Sequence, residues 1–202
     1  MYLYQKHNLS YPIIWIESGL HNTPKKLHKR IQKELDQISQ TDILLLGFGQ
    51  CGNSLNNILT GNYETILPRT DDCISLFFGS DAARNAYGQN HRAIYLTAGW
   101  MRGEQNILKE YAHAYKRFGA ESAKDLMHMM YDHYQELVLL DTGIYSIDQL
   151  YEETADIEKI TDLKRVVLPA TLSYLEKLLL GPWKNEEFYH FKPNSTITIK
   201  HG

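Results

Sequence analysis

Apolar and polar positions follow two periods that alternate along the chain. Short apolar runs are each followed by a stretch in which apolar residues recur every three or four positions. The first run is Tyr11-Pro-Ile-Ile-Trp-Ile-Glu17. After it, Leu27, Ile31, Leu35 and Ile38 fall on one helical face, with Lys25, Lys29, Lys33 and Asp36 outside. Thr23 before Pro24 predicts an N-cap followed by Pro at the first helical position. Further runs span 42–47, 63–68, 93–97, 137–141 and 165–168. Helical patterns follow them: a short one reaching Leu55 and Ile58, then Asp72 to Tyr87, Glu104 to Glu136, a stretch from Asp148, and Ala170 to Leu180. Continuous apolar strands alternating with helices predict a single α/β domain over residues 1–202. Its sheet would be mainly parallel with helices on both faces, doubly wound and Rossmann-like. The tail of residues 181–202 breaks into loops at Pro182-Trp183 and Lys192-Pro-Asn-Ser195. Thr196-Ile-Thr-Ile199 then reads as an edge strand or a docked arm.

Composition narrows the class. With 43% hydrophobic residues over 202 positions, the chain can build a core without a metal or disulfide staple. Two cysteines are too few for a disulfide scaffold. No apolar run reaches the roughly 20 residues needed to span a bilayer, and the polar start, Met1 to Ser10, has no signal-peptide core. A net charge of −3 gives no electrostatic reason to expect nucleic acid. The expectation is a cytoplasmic protein with reduced thiols and a small-molecule substrate, bound to neither membrane nor nucleic acid.

The residues that carry chemistry cluster just after the apolar runs. In an open parallel sheet those positions share the edge where α/β proteins bind ligands. Gly47-Phe-Gly49-Gln-Cys-Gly52 matches G-x-G-x-x-G, and Asp71 and Asp72 lie about 20 residues on. Gly47, Gly49, Gly52 and Asn53 would then cradle a phosphate of a nucleotide or other cofactor at a helix N-terminus. The plainer reading is a tight strand-to-helix turn. Cys51 and Cys73 each fall at a predicted helix start, Cys73 directly after Asp72 as N-cap, where free N–H groups favour a thiolate. His21 precedes the Thr23-Pro24 helix start at the same edge. One imidazole and two thiolates form a soft donor set for zinc with a fourth position open. The plainer reading is an exposed histidine and two inert thiols. Arg69 could clamp a carboxylate or phosphate, or pair with a neighbouring acid. Trp100 and Tyr145 could wall a pocket, and Asp141 could orient a ligand or cap its own turn. His28, His113, His128 and His133 read as solvated or core positions.

Several of these stretches, in this order, resemble the domain-of-unknown-function 1638 family: Leu20 to Leu27, Leu46 to Ser54, Leu67-Pro-Arg-Thr-Asp-Asp-Cys-Ile-Ser-Leu-Phe-Phe-Gly-Ser80, Tyr95 to Trp100 and Leu140-Asp-Thr-Gly143. Gly181-Pro-Trp183 and Pro193 to Ile197 extend the likeness. The resemblance implies a setting in one-carbon metabolism beside corrinoid-dependent methyltransferases, with a corrinoid protein or methyltransferase as partner. It implies family positions at His21, Cys51 and Cys73, and a departure at Asp71, where the family pattern carries His. It also implies that an upstream strand and helix of the family are absent from this chain.

Three functions fit these residues. One is a zinc-dependent enzyme or methyl-group handling protein, with His21, Cys51 and Cys73 holding the metal, Arg69 and Asp72 holding substrate, and Trp100, Asp141 and Tyr145 lining the pocket. Another is a non-catalytic module that holds a nucleotide or cofactor phosphate in the Gly47–Gly52 loop. The third is a thiol redox protein using Cys51 and Cys73.

Overall fold

The computed structural model describes residues 1–103 and 105–199. The chain is α/β, with two three-stranded sheets, one wholly parallel and one mixed. This replaces the one continuous sheet expected above. Contacts group the chain into two compact units, Met1–Asp81 with Leu172–Gly202, and Ala82–Thr171. No helix among the described residues is long and apolar enough to cross a membrane.

In the first unit, α1 (Tyr2–Lys6), a 3₁₀ turn (Ser18–Asn22) and α2 (Pro24–Leu35) precede β1 (Ile43–Leu45) and β2 (Glu64–Pro68). The short helix α3 (Ser75–Phe78) follows, and α10 (Ser173–Leu180) and β6 (Phe188–Phe191) complete the unit. Strand order is β1-β2-β6, with β1 parallel to β2 and β6 antiparallel to it. Alternation sorts the strand side chains between two layers. Leu44, Leu67, Tyr189 and Phe191 pack with Leu27, Ile31 and Leu35 of α2, whereas Leu45, Ile66 and Phe188 pack with Leu76 of α3 and Tyr174 and Leu178 of α10.

The second unit holds α4 (Asp81–Gly88, its first residue in the other unit), β3 (Ala93–Leu96), α5 (Ala98–Arg102), α6 (Ile107–Phe118), α7 (Ala120–Tyr131), β4 (Glu136–Asp141), α8 (Ile147–Glu153), α9 (Ala155–Thr161) and β5 (Lys164–Pro169). The order β3-β4-β5 is all parallel. Steady progress of right-handed crossovers in one direction puts both connections on one face. Leu96, Leu137 and Leu139 accordingly share a cluster with Ile107, Met127, Leu150 and Ile157. On the other face, Tyr95 meets Tyr87 and Arg84 of α4.

Three differences from the sequence reading have physical causes. Residues 11–17 pair with no strand among the described residues. Pro12 lacks an N–H, and Trp15 stays 66% exposed although Ile16 packs on the core. The Asp72–Tyr87 and long 104–136 helices are each split, by Gly79 and Gly119 at left-handed φ of 81° and 82°; Glu104, the expected start of the latter, lies outside the described residues. No helix follows the glycine loop, because Cys51, Gly52, Asn53 and Asn57 all have positive φ. Of the two readings of the tail, the structure shows the docked arm. Ile197 and Ile199 are buried, and Asn57 N–H and Thr60 N–H bond the carbonyls of Ile197 and Ser195 at 2.9 and 2.8 Å. Residues 200–202 of the predicted tail lie outside the described residues.

Candidate functional site

The parallel pairing of β1 and β2 brings the loops that follow them side by side. Hydrogen bonding continues past the strand ends: Leu46 N–H bonds Ile66 O at 2.9 Å, Gln50 N–H bonds Thr70 O at 3.1 Å, and Cys51 N–H bonds Asp71 O at 3.2 Å. On the other side of the same segment, Arg69 N–H bonds Glu187 O at 2.8 Å. Close approach of the loops requires Gly49. A Cβ built there would lie 2.3 Å from the carbonyl carbon of Asp72 and 2.7 Å from the nitrogen of Cys73. No side chain larger than hydrogen fits without moving backbone.

This contact sets the two cysteines together, Sγ to Sγ at 3.0 Å, as free thiols, each half-buried. Cys51 has φ 41°, followed by Gly52 at 66° and Asn53 at 64°. Glycine and asparagine tolerate that region, but for a cysteine it costs roughly 1–2 kcal/mol. A strained residue held by its surroundings is typical of functional positions. The two sulfurs divide their protons unequally. The hydrogen bond from Cys51 lowers the Cys73 thiol below its ordinary value; burial opposes this, and the Gly49 backbone N–H reinforces it. Donating that bond to Cys73, together with burial, pushes Cys51 up. When the pair gives up one proton, Cys73 is the sulfur that loses it and Cys51 the one that keeps its own. Asp72 does what an N-cap does, its Oδ1 accepting Ser75 N–H at 2.9 Å.

The family model described as "Protein of unknown function (DUF1638)" matches residues 15–179. The chain belongs to that family. The DUF1638 match takes in both cysteines, His21, Arg69, Trp100, Asp141 and Tyr145, and ends short of Gly181-Pro-Trp183 and of Pro193 to Ile197. No curated protein and no solved structure matches the chain.

Not every candidate within the DUF1638 region is drawn into this site. His21 ends the 3₁₀ turn and is exposed. Among the described residues, no three His, Cys, Asp or Glu side chains are grouped to hold a metal ion. The thiol separation also falls below the zinc requirement, because two sulfurs at 2.3 Å from one tetrahedral zinc lie about 3.8 Å apart. The residues present do not fit a three-ligand zinc site. In the Gly47–Asn53 loop, the N–H groups of Gln50 and Cys51 already bond Thr70 and Asp71 carbonyls. Gly49 faces the Asp72–Cys73 peptide and Gly52 faces Pro24. Gly49 and Gly52 thus serve packing inside the protein, and two of the loop's N–H donors are already engaged.

Among the described residues Arg69 makes no ion pair. Its guanidinium carbon lies 3.9 Å above the Tyr189 ring, and its Nε donates to Phe188 O at 3.2 Å. Trp100, Asp141 and Tyr145 belong to the second unit, after β3 and β4. There Asp141 caps its own turn, Oδ1 accepting Gly143 N–H at 2.9 Å, and the Tyr145 hydroxyl bonds Leu140 O. Trp100 and Tyr145 pack on that unit's core.

Sequence reasoning missed several residues that build the thiol site. His28 does not face out: its Nδ1 bonds Ser54 O at 3.0 Å, tying α2 to the thiol loop. Asn56 Oδ1 accepts Ile199 N–H at 2.7 Å, fixing the loop from the docked arm. Tyr189 lies on β6, a strand that was not anticipated. Gln50 Oε1 and Thr70 Oγ1, buried beside the pair in sequence, have no hydrogen-bond partner among the described residues. Only the aromatic alternation Phe188-Tyr-His-Phe191 offered a sequence signal for any of these.

Proposed function

We propose that Cys51 and Cys73 form a thiol–disulfide exchange centre with Cys73 as nucleophile. The observation that carries this reading is the 3.0 Å approach of two free sulfurs on loops held in register by backbone bonds. A disulfide needs a separation of about 2.05 Å, a short further approach for two thiols already in contact. The lowered Cys73 thiol and raised Cys51 thiol supply the unequal pair that exchange chemistry uses.

The Cys73 thiolate attacks one sulfur of a substrate disulfide, R–S–S–R. The substrate S–S bond breaks, a Cys73–S–S–R bond forms, and one R–S⁻ leaves. That thiolate takes the Cys51 proton. The Cys51 sulfur then attacks Cys73 Sγ, closing the Cys51–Cys73 disulfide and expelling the second R–S⁻, which is protonated from water. Two electrons pass from the protein to the substrate, and two R–SH result. With the dithiol as resting form in a reducing compartment, the net action is substrate reduction.

Equilibration in glutathione buffers of graded ratio, followed by alkylation and mass mapping, tests this. The expected result is a reversible Cys51–Cys73 disulfide, with Cys51→Ala accumulating a mixed disulfide at Cys73 and Cys73→Ala reacting slowly. Thiols that stay free at every ratio would end the reading. About one zinc per chain, released by Cys51→Ser or Cys73→Ser, would replace it with a metal site.

A further inference from the structure

We propose that Arg69 selects the disulfides this centre accepts, favouring those of small thiols that carry an anionic group such as a carboxylate, phosphate or sulfonate. The inference rests on the exchange reading above.

Arg69 is exposed, yet its guanidinium is held in place. The Tyr189 ring lies 3.9 Å beneath it and Phe188 O takes Nε at 3.2 Å. The terminal amines remain as a planar fork, the donor geometry that matches an oxyanion. Nearby acids are engaged elsewhere. Glu187 pairs with Lys177, Asp81 Oδ1 accepts Asp71 N–H at 2.9 Å, and Asp72 Oδ1 accepts Ser75 N–H. Asp71, exposed and two residues along, is the one acid near in sequence whose carboxylate has no partner among the described residues. A cation whose stem is already ordered loses little further freedom when an anion binds.

Placement relates this fork to the chemistry. Arg69 is four residues from Cys73, so their Cα atoms are no more than about 14 Å apart even at full extension. Within that upper bound, a small disulfide is the substrate class whose charge and sulfur lie close enough together to address both groups. One fork on a chain of net charge −3 suits a single anionic group rather than an extended acidic surface.

The test measures oxidation rates of the reduced protein by three disulfides: those of mercaptopropionic acid (anionic), mercaptoethanol (neutral) and cysteamine (cationic). Each rate is divided by that for a small reference thiol. The expected normalised preference for the anionic over the neutral disulfide is about tenfold, the effect of one charge-assisted contact. It should shrink with added salt. Arg69→Ala should abolish the normalised preference; Arg69→Lys should keep part of it, and Asp71→Asn should increase it. A wild-type preference no greater than the reference thiol's, or one untouched by salt and by Arg69→Ala, overturns this inference alone. Failure of all three disulfides to oxidise the pair would instead overturn the exchange reading.

Discussion

The loops after β1 and β2 and the loops after β3 and β4 look alike in sequence and do opposite things. Both sets follow parallel strands and both are rich in glycine and small polar residues. In the first unit, Gly49 lets backbone meet backbone, and two sulfurs come within 3.0 Å. In the second, Asp141 bonds Gly143 two residues on, and Tyr145 bonds Leu140 five residues back. The first set brings two reactive side chains from segments distant in sequence together; in the second, the Asp141 and Tyr145 side chains bond backbone of their own loop. Small polar residues at strand ends therefore mark where a site can be. Long-range contact between reactive side chains marks where one is.

Substitution of the matching glycines breaks the comparison most sharply. Gly49→Ala forces the Asp72–Cys73 peptide aside and should cost at least about 3 kcal/mol. Gly143→Ala, at φ 71° with no atom within 4 Å of the added carbon, should cost only about 1–2 kcal/mol. Denaturant melts of both variants read the difference, and equal losses would refute the proposed tightness of the first loop.

Oxidation sharpens the comparison next. A Cys51–Cys73 disulfide joins residues 22 apart, and closing such a loop stabilises by about 3 kcal/mol in the chain-entropy model. The oxidised protein should resist denaturant by that margin, and Cys51→Ala should remove the redox dependence.

Acidity gives the smallest effect. Cys73 is lowered on folding, so its contribution to stability is complete above the unfolded thiol value near 8.5 and fades as pH falls through its own lower value. Cys51 is raised, so its contribution is complete below that same unfolded value and fades as pH rises toward its own higher one. The two overlap fully only near pH 8.5. Relative to a Cys51→Ala, Cys73→Ala double variant, the reduced protein should gain most stability there and lose the gain on either side. Alkylation of Cys73 should persist below the pH at which an ordinary thiol stops reacting.

Much of the frame was legible in the sequence. The runs at 63–68, 93–97, 137–141 and 165–168 coincide with β2, β3, β4 and β5 within one or two residues; burial on two faces explains the apolar content of β2 and β4, whereas β5 holds the sheet with half-buried and exposed residues. Leu27, Ile31 and Leu35 are buried on α2, as their spacing requires. The run at 11–17 misled, because local pattern shows strand tendency and not whether a neighbour exists to pair. The partition into two sheets was invisible for the same reason. At the site, the cysteines drew notice through their places after apolar runs. Their partner His21 was inferred from an edge shared in one sheet, and being near an edge does not bring a side chain within bonding reach. His28 and Asn56 act through backbone atoms 26 and 143 residues away, and no local period encodes such contacts.

The docked arm has a consequence for biosynthesis. Asn56 Oδ1 accepts Ile199 N–H and Thr60 N–H bonds Ser195 O, so this clasp on the segment after Cys51 cannot form until the chain has been made through residue 199. A nascent chain carries both sulfurs without that clasp while the residues between Cys73 and Ile199 are added.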